Sequence, residues 1–176
     1  MRSGRGEARE PASPDIARGP ASSNIQRVQD ALRALGGAHT IVELAEPART
    51  AADAARLVGC RVEQIANSLV FKAPARDAAV LVMASGGRRV DPARIAEALG
   101  EPIAKADADF VRARTGFAIG GVAPVGHTTP PAAVLIDEEL LQWPEIWAAG
   151  GHPHTVFRLT GDELVRMTGG RVVLVR

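Results

Sequence analysis

The sequence predicts an α+β domain: a mixed, barrel-like β-sheet surrounded by helices. Three observations point there. Helical stretches and short strand-like runs alternate irregularly. Adjacent strands are expected around Lys72 and again around His152, which strict doubly wound alternation would not give. The 176 residues are 46% hydrophobic but only 3% aromatic, so the core is built mainly from Ala, Val, Leu and Ile. A chain of this length can bury roughly two thirds of its unfolded surface around one core.

In chain order, residues 1–22 are rich in Gly, Pro, Ser, Arg and Ala without apolar periodicity, and read as a flexible N-terminal extension. The folded domain is expected over 23–176. Ser23 or Asn24 can cap a helix with Ile25, Val28, Ala31, Leu32 and Leu35 on one stripe, ended by Gly36 and Gly37. His39–Leu44 reads as a strand. Thr50 with Asp53 forms a capping box before an alanine-rich helix that Gly59 stops. Ser68–Ala73 and Ala78–Ala84 read as a hairpin turning at Pro74–Asp77, with Arg88–Val90 as an extension or a separate short piece. Asp91–Pro92 starts a helix closed by Gly100, and a further helix runs from about Asp107 to Thr115.

Gly116–Gly126, GFAIGGVAPVG, holds four glycines and a proline in eleven residues. It reads as an ordered loop anchored by Phe117, Ile119, Val122 and Val125, with glycines that bring backbone close to a neighbour. Ala133–Ile136 is a strand and Asp137–Leu141 a turn or short helical turn. Ile146–Ala149 and Thr155–Leu159 are strands around GGHPH. Thr160 and Glu163 form a second capping box for a helix to Thr168, and Arg171–Val175 closes with a strand.

Composition excludes several classes. With 21 basic and 20 acidic residues the formal net charge is +1, which gives no global electrostatic case for nucleic acid. The few rings argue against base stacking along an aromatic platform. The single cysteine, Cys60, cannot form an internal disulfide, so a reducing, cytoplasmic setting is expected. No apolar run approaches the roughly 20 residues of a membrane helix, and no membrane partner is expected.

Among chemistry-bearing residues, Lys72 stands out. It ends the apolar run NSLVFKA, and only two of the 21 basic residues are lysine. The alternative is a strand-end lysine that snorkels into water. His152 and His154 follow a strand, but no CxxC, HExxH or acidic partner supports a metal, and the rings can equally bond backbone. The glycine loop lacks the GxGxxG spacing and a GKS or GKT ending. Asp137 can orient a substrate amine or cap the turn that follows it. Trp143 and Trp147 read as packing residues.

These blocks together, NSLVFKA at Asn67–Ala73, RRVD at Arg88–Asp91, TGFAIGGVAPVG at Thr115–Gly126, VLIDEELL at Val134–Leu141 and IWAAGGHPHTVFRL at Ile146–Leu159, resemble the YbaK/prolyl-tRNA synthetase-associated family. The resemblance covers about Ser23 to Arg176. It implies the YbaK-type fold and the hydrolysis of mischarged aminoacyl-tRNA in trans by a free-standing editing domain, with no cofactor and no metal. The substrate class it implies is a small residue such as Ala or Cys on tRNA(Pro); the competing class is a non-catalytic tRNA- or synthetase-binding adaptor. Its implied partners are the acceptor end of a mischarged aminoacyl-tRNA and, transiently, prolyl-tRNA synthetase, but not DNA.

By the same resemblance Lys72, Gly120 and Gly121 are expected to be catalytic. Phe71, Val122, Pro124, Gly126, Asp137, Gly151 and His152 are expected to bind substrate. Backbone N–H groups of the loop would stabilise the developing oxyanion.

Overall fold

Helix α1 (Pro20–Ala34) opens the residues that the computed structural model describes, 20–176. It starts earlier than expected, so 20–22 are helix and not extension; the rest of the expected extension lies outside the described residues. Proline is well suited to a first helical turn, whose N–H groups have no intrahelical acceptor. Ser23 and Asn24 therefore sit inside the helix, and Asn24 Oδ1 accepts from Arg27 Nη1 (3.1 Å). Leu35 lies just past the helix end and is exposed, contrary to its expected place on the buried stripe.

Of the remaining helices among the described residues, all but one keep their sequence-predicted caps. In α2 (Ala51–Val58), Thr50 Oγ1 accepts from the Asp53 N–H (3.1 Å) while the Asp53 carboxylate accepts from the Thr50 N–H (3.0 Å). Asp91 caps α3 (Pro92–Leu99), and α4 (Ala108–Thr115) starts one residue later than expected, with Asp107 as its cap. Thr160 and Glu163 box α5 (Gly161–Thr168). Gly59, Gly100, Gly116 and Gly169 end these four helices in the left-handed conformation that glycine adopts without a Cβ penalty.

Among the described residues eight strands form one sheet: β1 (Ile41–Glu43), β2 (Ile65–Ala73), β3 (Ala78–Ser85), β4 (Ala104–Lys105), β5 (Ala133–Asp137), β6 (Ile146–Ala149), β7 (Thr155–Leu159) and β8 (Arg171–Val173). The order is β1-β7-β6-β2-β3-β5-β8, with β4 also pairing β2. The sheet is mixed: β2/β6, β3/β5 and β5/β8 are parallel, the other pairs antiparallel. Among the described residues no ladder joins the two end strands, β1 and β8. Arg88–Val90 is loop rather than strand, and β4 was not foreseen.

Alternation along β3 shows why the sheet is covered on both faces. Leu81 and Met83 enter a core with Val28 and Leu32 of α1, Val111 of α4 and Leu164 of α5. Val80 and Val82 enter a second core with Ile95 of α3. Side chains one residue apart on a strand point to opposite faces, so an unbroken apolar run needs cover on each. A third cluster joins Ala54 and Ala55 of α2 to Ile65 and Trp147.

Phe117, Val122, Ala123 and Val125 bury the glycine loop against the α1 side, and the fully buried Phe117 ring alone contributes about 2–3 kcal/mol. Ile119 does not share this role. It is 60% exposed at the loop tip.

Candidate active site

Strand β2 is continuous, but its neighbours on one edge are not. On the edge away from β3, the ladder to β6 covers only Ile65 and Ala66, and the ladder to β4 begins at Phe71. Between these ladders the edge opens, and Asn67 and Ser68 line a cleft of about 150 Å³. Ala51 and Ala54 of α2, Ala148 and Ala149 of β6, and Gly120 and Val122 of the glycine loop complete much of its wall. Small side chains from three elements keep the space open but narrow.

The loop wall is shaped by glycines used in two ways. The Gly121 N–H donates to the Ala118 carbonyl (3.0 Å), closing a tight turn in which Gly120 has φ +89°. That conformation strains any residue with a Cβ. Gly121 itself is a close-approach site: a Cβ there would lie 2.9 Å from His152 Cα and 3.0 Å from the His152 carbonyl carbon and Pro153 Cδ. The loop thus rests on the GGHPH turn. That turn is tied in its turn to the segment before α2, through Leu44 N–H to the His154 carbonyl (2.6 Å) and Ala48 N–H to the Pro153 carbonyl (3.1 Å).

Support also comes from α1. Arg27 Nε donates to the Gly126 carbonyl (2.6 Å), and its guanidinium lies 4.6 Å from the Phe117 ring centroid. His127 Nε2 donates to the Ala123 carbonyl (2.6 Å), edge-on to Phe117. Burial holds the His127 imidazole below its ordinary pKa, reinforced by the Arg27 charge and opposed by the bond to Ala123.

The expected site residues separate into groups. Gly120 and Val122 line the cleft, and Gly121 fixes the loop that carries them. Pro124 is buried in that loop. Gly126 and Gly151 instead face α1, where Cβ atoms would meet Val28 Cα (3.3 Å) and the Asn24 carbonyl oxygen (3.0 Å). His152 stacks on His154 at 5.2 Å and accepts the His154 N–H on Nδ1 (3.2 Å); it is not a wall of the cleft, whereas Pro153 beside it is. Burial, then the neighbouring His154, holds its ring below the ordinary histidine pKa.

Lys72, Phe71 and Asp137 lie outside the cleft. Lys72 shares the face of Ser68 but is four residues on, about 13 Å along an extended strand. Its Nζ is 3.1 Å from Asp77 Oδ1 across the hairpin turn and 5.2 Å from the Phe110 ring centroid. Phe71 packs against the α3 core on the opposite face. Asp137 is fully buried: it accepts the Ser85 N–H (3.1 Å) and the Glu139 N–H (3.2 Å), with Arg176 Nη1 at 3.6 Å. Of its two sequence readings, the geometry is that of the cap.

Other cleft residues went unremarked as site candidates in the sequence. Asn67 had a signal, a polar residue inside an apolar strand run. Arg49 had none, being one of 19 arginines, and among the described residues it is the only cation lining the cleft. Thr155 and Trp147 become wall residues only when β6 and β7 meet β2. Among the described residues no three His, Cys, Asp or Glu side chains converge as metal ligands would.

The model of the aminoacyl-tRNA editing domain matches residues 45–167, which carry the cleft. A solved structure put forward as a trans-editing enzyme for prolyl tRNA synthetase is similar at 45% identity and a TM-score of 0.81, covering 87% of this chain and 96% of that one. The hypothetical protein APE2540 is similar at 29% identity and a TM-score of 0.78, covering 85% and 98%. The uncharacterized protein YwhH of Bacillus subtilis (strain 168) is 27% identical over 132 residues, 75% of this chain and 83% of that protein.

Proposed function

The chain belongs to the aminoacyl-tRNA editing domain family, of the YbaK/prolyl-tRNA synthetase-associated type, and from that premise we propose that it hydrolyses mischarged aminoacyl-tRNA(Pro) in trans. The residue removed is small, alanine or cysteine. The observation that carries this reading is the narrow alanine-walled cleft at the break in the β2 ladder. Its alanine-rich walls and volume of about 150 Å³ suit a small aminoacyl group. A synthetase distinguishes side chains differing by one methylene by only about 1–3 kcal/mol, so a second, hydrolytic sieve raises fidelity.

Water is the nucleophile in this reading. The hydroxyls lining the cleft are already engaged: Thr50 Oγ1 caps Asp53, Ser68 Oγ lies 3.3 Å from Met83 Sδ, and Thr155 Oγ1 donates to the His152 carbonyl (3.0 Å). Ser68 and Thr155 have no histidine or carboxylate base beside them in those contacts, and the Asp53 carboxylate beside Thr50 is taken up by the Thr50 and Arg49 N–H groups. Water adds to the ester carbonyl, the carbonyl oxygen gains negative charge, and the bond to the terminal ribose oxygen breaks with that oxygen taking a proton. Free amino acid and reusable tRNA result.

The N–H groups of Gly120 and Val122 are the proposed oxyanion donors, since the Gly121 N–H is spent in the turn. Asn67 is placed to accept from the substrate's α-ammonium through its side-chain carbonyl. Gly121, Pro124, Gly126, Gly151 and His152 act through the shape of the loop and the turn beneath it. The working compartment is the cytoplasm, where charged tRNA is used, and prolyl-tRNA synthetase is a transient partner. No helix among the described residues is long and apolar enough to cross a membrane.

The test is release of free amino acid from Ala-tRNA(Pro), Cys-tRNA(Pro), Pro-tRNA(Pro) and Ala-tRNA(Ala). Turnover of one or both mischarged tRNA(Pro) species with Pro-tRNA(Pro) spared is expected. Absence of turnover across the panel, despite tRNA binding, would overturn the reading in favour of an adaptor.

A further inference from the structure

We propose that Arg49 is the phosphate-holding residue of the cleft, gripping a backbone phosphate in the single-stranded acceptor end of the tRNA. This rests on the editing reading above, and it assigns a role to a residue outside the expected site. Among the described residues lining the cleft, Arg49 is the only ionised side chain; they include no aspartate, glutamate, lysine or histidine.

Its charge is also left open. Neighbouring arginines on and after α2 are neutralised: Arg56 pairs with Glu46, and Arg61 with Glu63 at 3.5 Å. Further off, Arg88 approaches Glu139 at 3.7 Å and Lys72 approaches Asp77 at 3.1 Å. Among the described residues no acidic side chain pairs with the Arg49 guanidinium. Its backbone, by contrast, is pinned, because the Arg49 N–H donates to Asp53 Oδ2 (3.2 Å) alongside the capping box. A fixed root with a free planar cation at a cleft wall is suited to a phosphodiester, which accepts guanidinium N–H bonds in pairs.

Substrate chemistry sets the orientation. An aminoacyl-tRNA end carries an α-ammonium on one side of the ester and phosphates on the other. The guanidinium repels the first and attracts the second, so the phosphate side of the substrate lies at Arg49. In a chain of net charge +1 this attraction is local to the cleft and not a property of the whole surface.

The experiment compares wild type, Arg49→Gln and Arg49→Lys on two substrates: alanyl-tRNA(Pro), and 2′(3′)-O-alanyl-adenosine, which has the ester but no phosphate. For R49Q, kcat/KM on the tRNA falls about tenfold, chiefly through KM. The loss on alanyl-adenosine stays within about twofold, because no phosphate is there to hold. R49K is intermediate on the tRNA. A salt titration of binding to a short RNA ending in CCA gives a log–log slope shallower by about 0.7 for R49Q.

Equal kcat/KM for wild type and R49Q on the tRNA overturns the proposal, as does an equal loss on both substrates. Should wild type hydrolyse neither, the editing reading fails and the RNA titration still decides Arg49. A shallower slope for R49Q upholds phosphate binding, and identical slopes, or no RNA binding by either protein, overturn it.

Discussion

Lys72 commits its ammonium to Asp77 at the hairpin turn, with its side chain 37% exposed, so its charge lies on the rim of the fold rather than in the cleft. An exposed ion pair of this kind contributes little, because water and salt screen it. Lys72→Met is therefore expected to change kcat/KM on the mischarged tRNA by less than about threefold. A loss of a hundredfold would restore Lys72 to the reacting centre. His127 makes the opposite kind of contribution, buried and uncharged beneath the loop. Its folded-state pKa is depressed below the ordinary 6.5, so the unfolded chain takes the proton more readily. The stability linked to it is present above about pH 6.5 and is lost as pH falls below that value toward the depressed pKa. Urea midpoints measured from about pH 5 to 7.5 should fall more steeply on the acid side for wild type than for His127→Gln. His152 shifts in the same direction, so the variant removes only part of the slope.

At the scale of elements, the glycine loop and the GGHPH turn behave as one wall because their backbones touch. Gly121→Ala sets a Cβ 2.9 Å from His152 Cα, and a backbone atom cannot swing aside as a long side chain can. The loop must lift, moving Gly120 and Val122 together. The expected result is a folded protein whose kcat/KM falls about a hundredfold, since displacement of a positioning element by roughly 1 Å costs that much. Near wild-type activity with unchanged circular dichroism would show that the loop's contact with the turn does not set the reacting geometry. Element boundaries themselves were largely written locally. Thr50, Asp91 and Thr160 cap the helices they were expected to cap, and Gly59 and Gly100 stop two of them where expected. The misjudged residues, Leu35 and Ile119, share a cause: their apolar character fits a core, but whether another element covers them is not a local property.

For the whole molecule, a buried ionic group joins distant parts of the chain. Asp137 at the end of β5 accepts the Ser85 N–H from β3 and meets Arg176, which also pairs with Glu139 at 2.5 Å. Asp137→Ala leaves the Ser85 donor and the half-buried Arg176 without their partner, and should destabilise the fold by about 3 kcal/mol in denaturant titration. A cost below about 1 kcal/mol would mean that the cluster relaxes or fills with water. The blocks that carry the family resemblance, the caps and most strands were legible in the amino-acid sequence, because turn, cap and alternation chemistry act over a few residues. The sequence by itself thus determined the elements, the α+β class and the editing-domain family. Only the tertiary structure decided which residues line the cleft. Arg49, Asn67, Val122 and Thr155 converge because β2 loses its β6 partner after Ala66 and α2, β7 and the loop close around the break. Which edge of a strand stays unpaired, and which charge finds no counterion, depends on residues far apart in sequence, so only the folded chain shows Lys72 paired with Asp77 and Arg49 at the cleft wall.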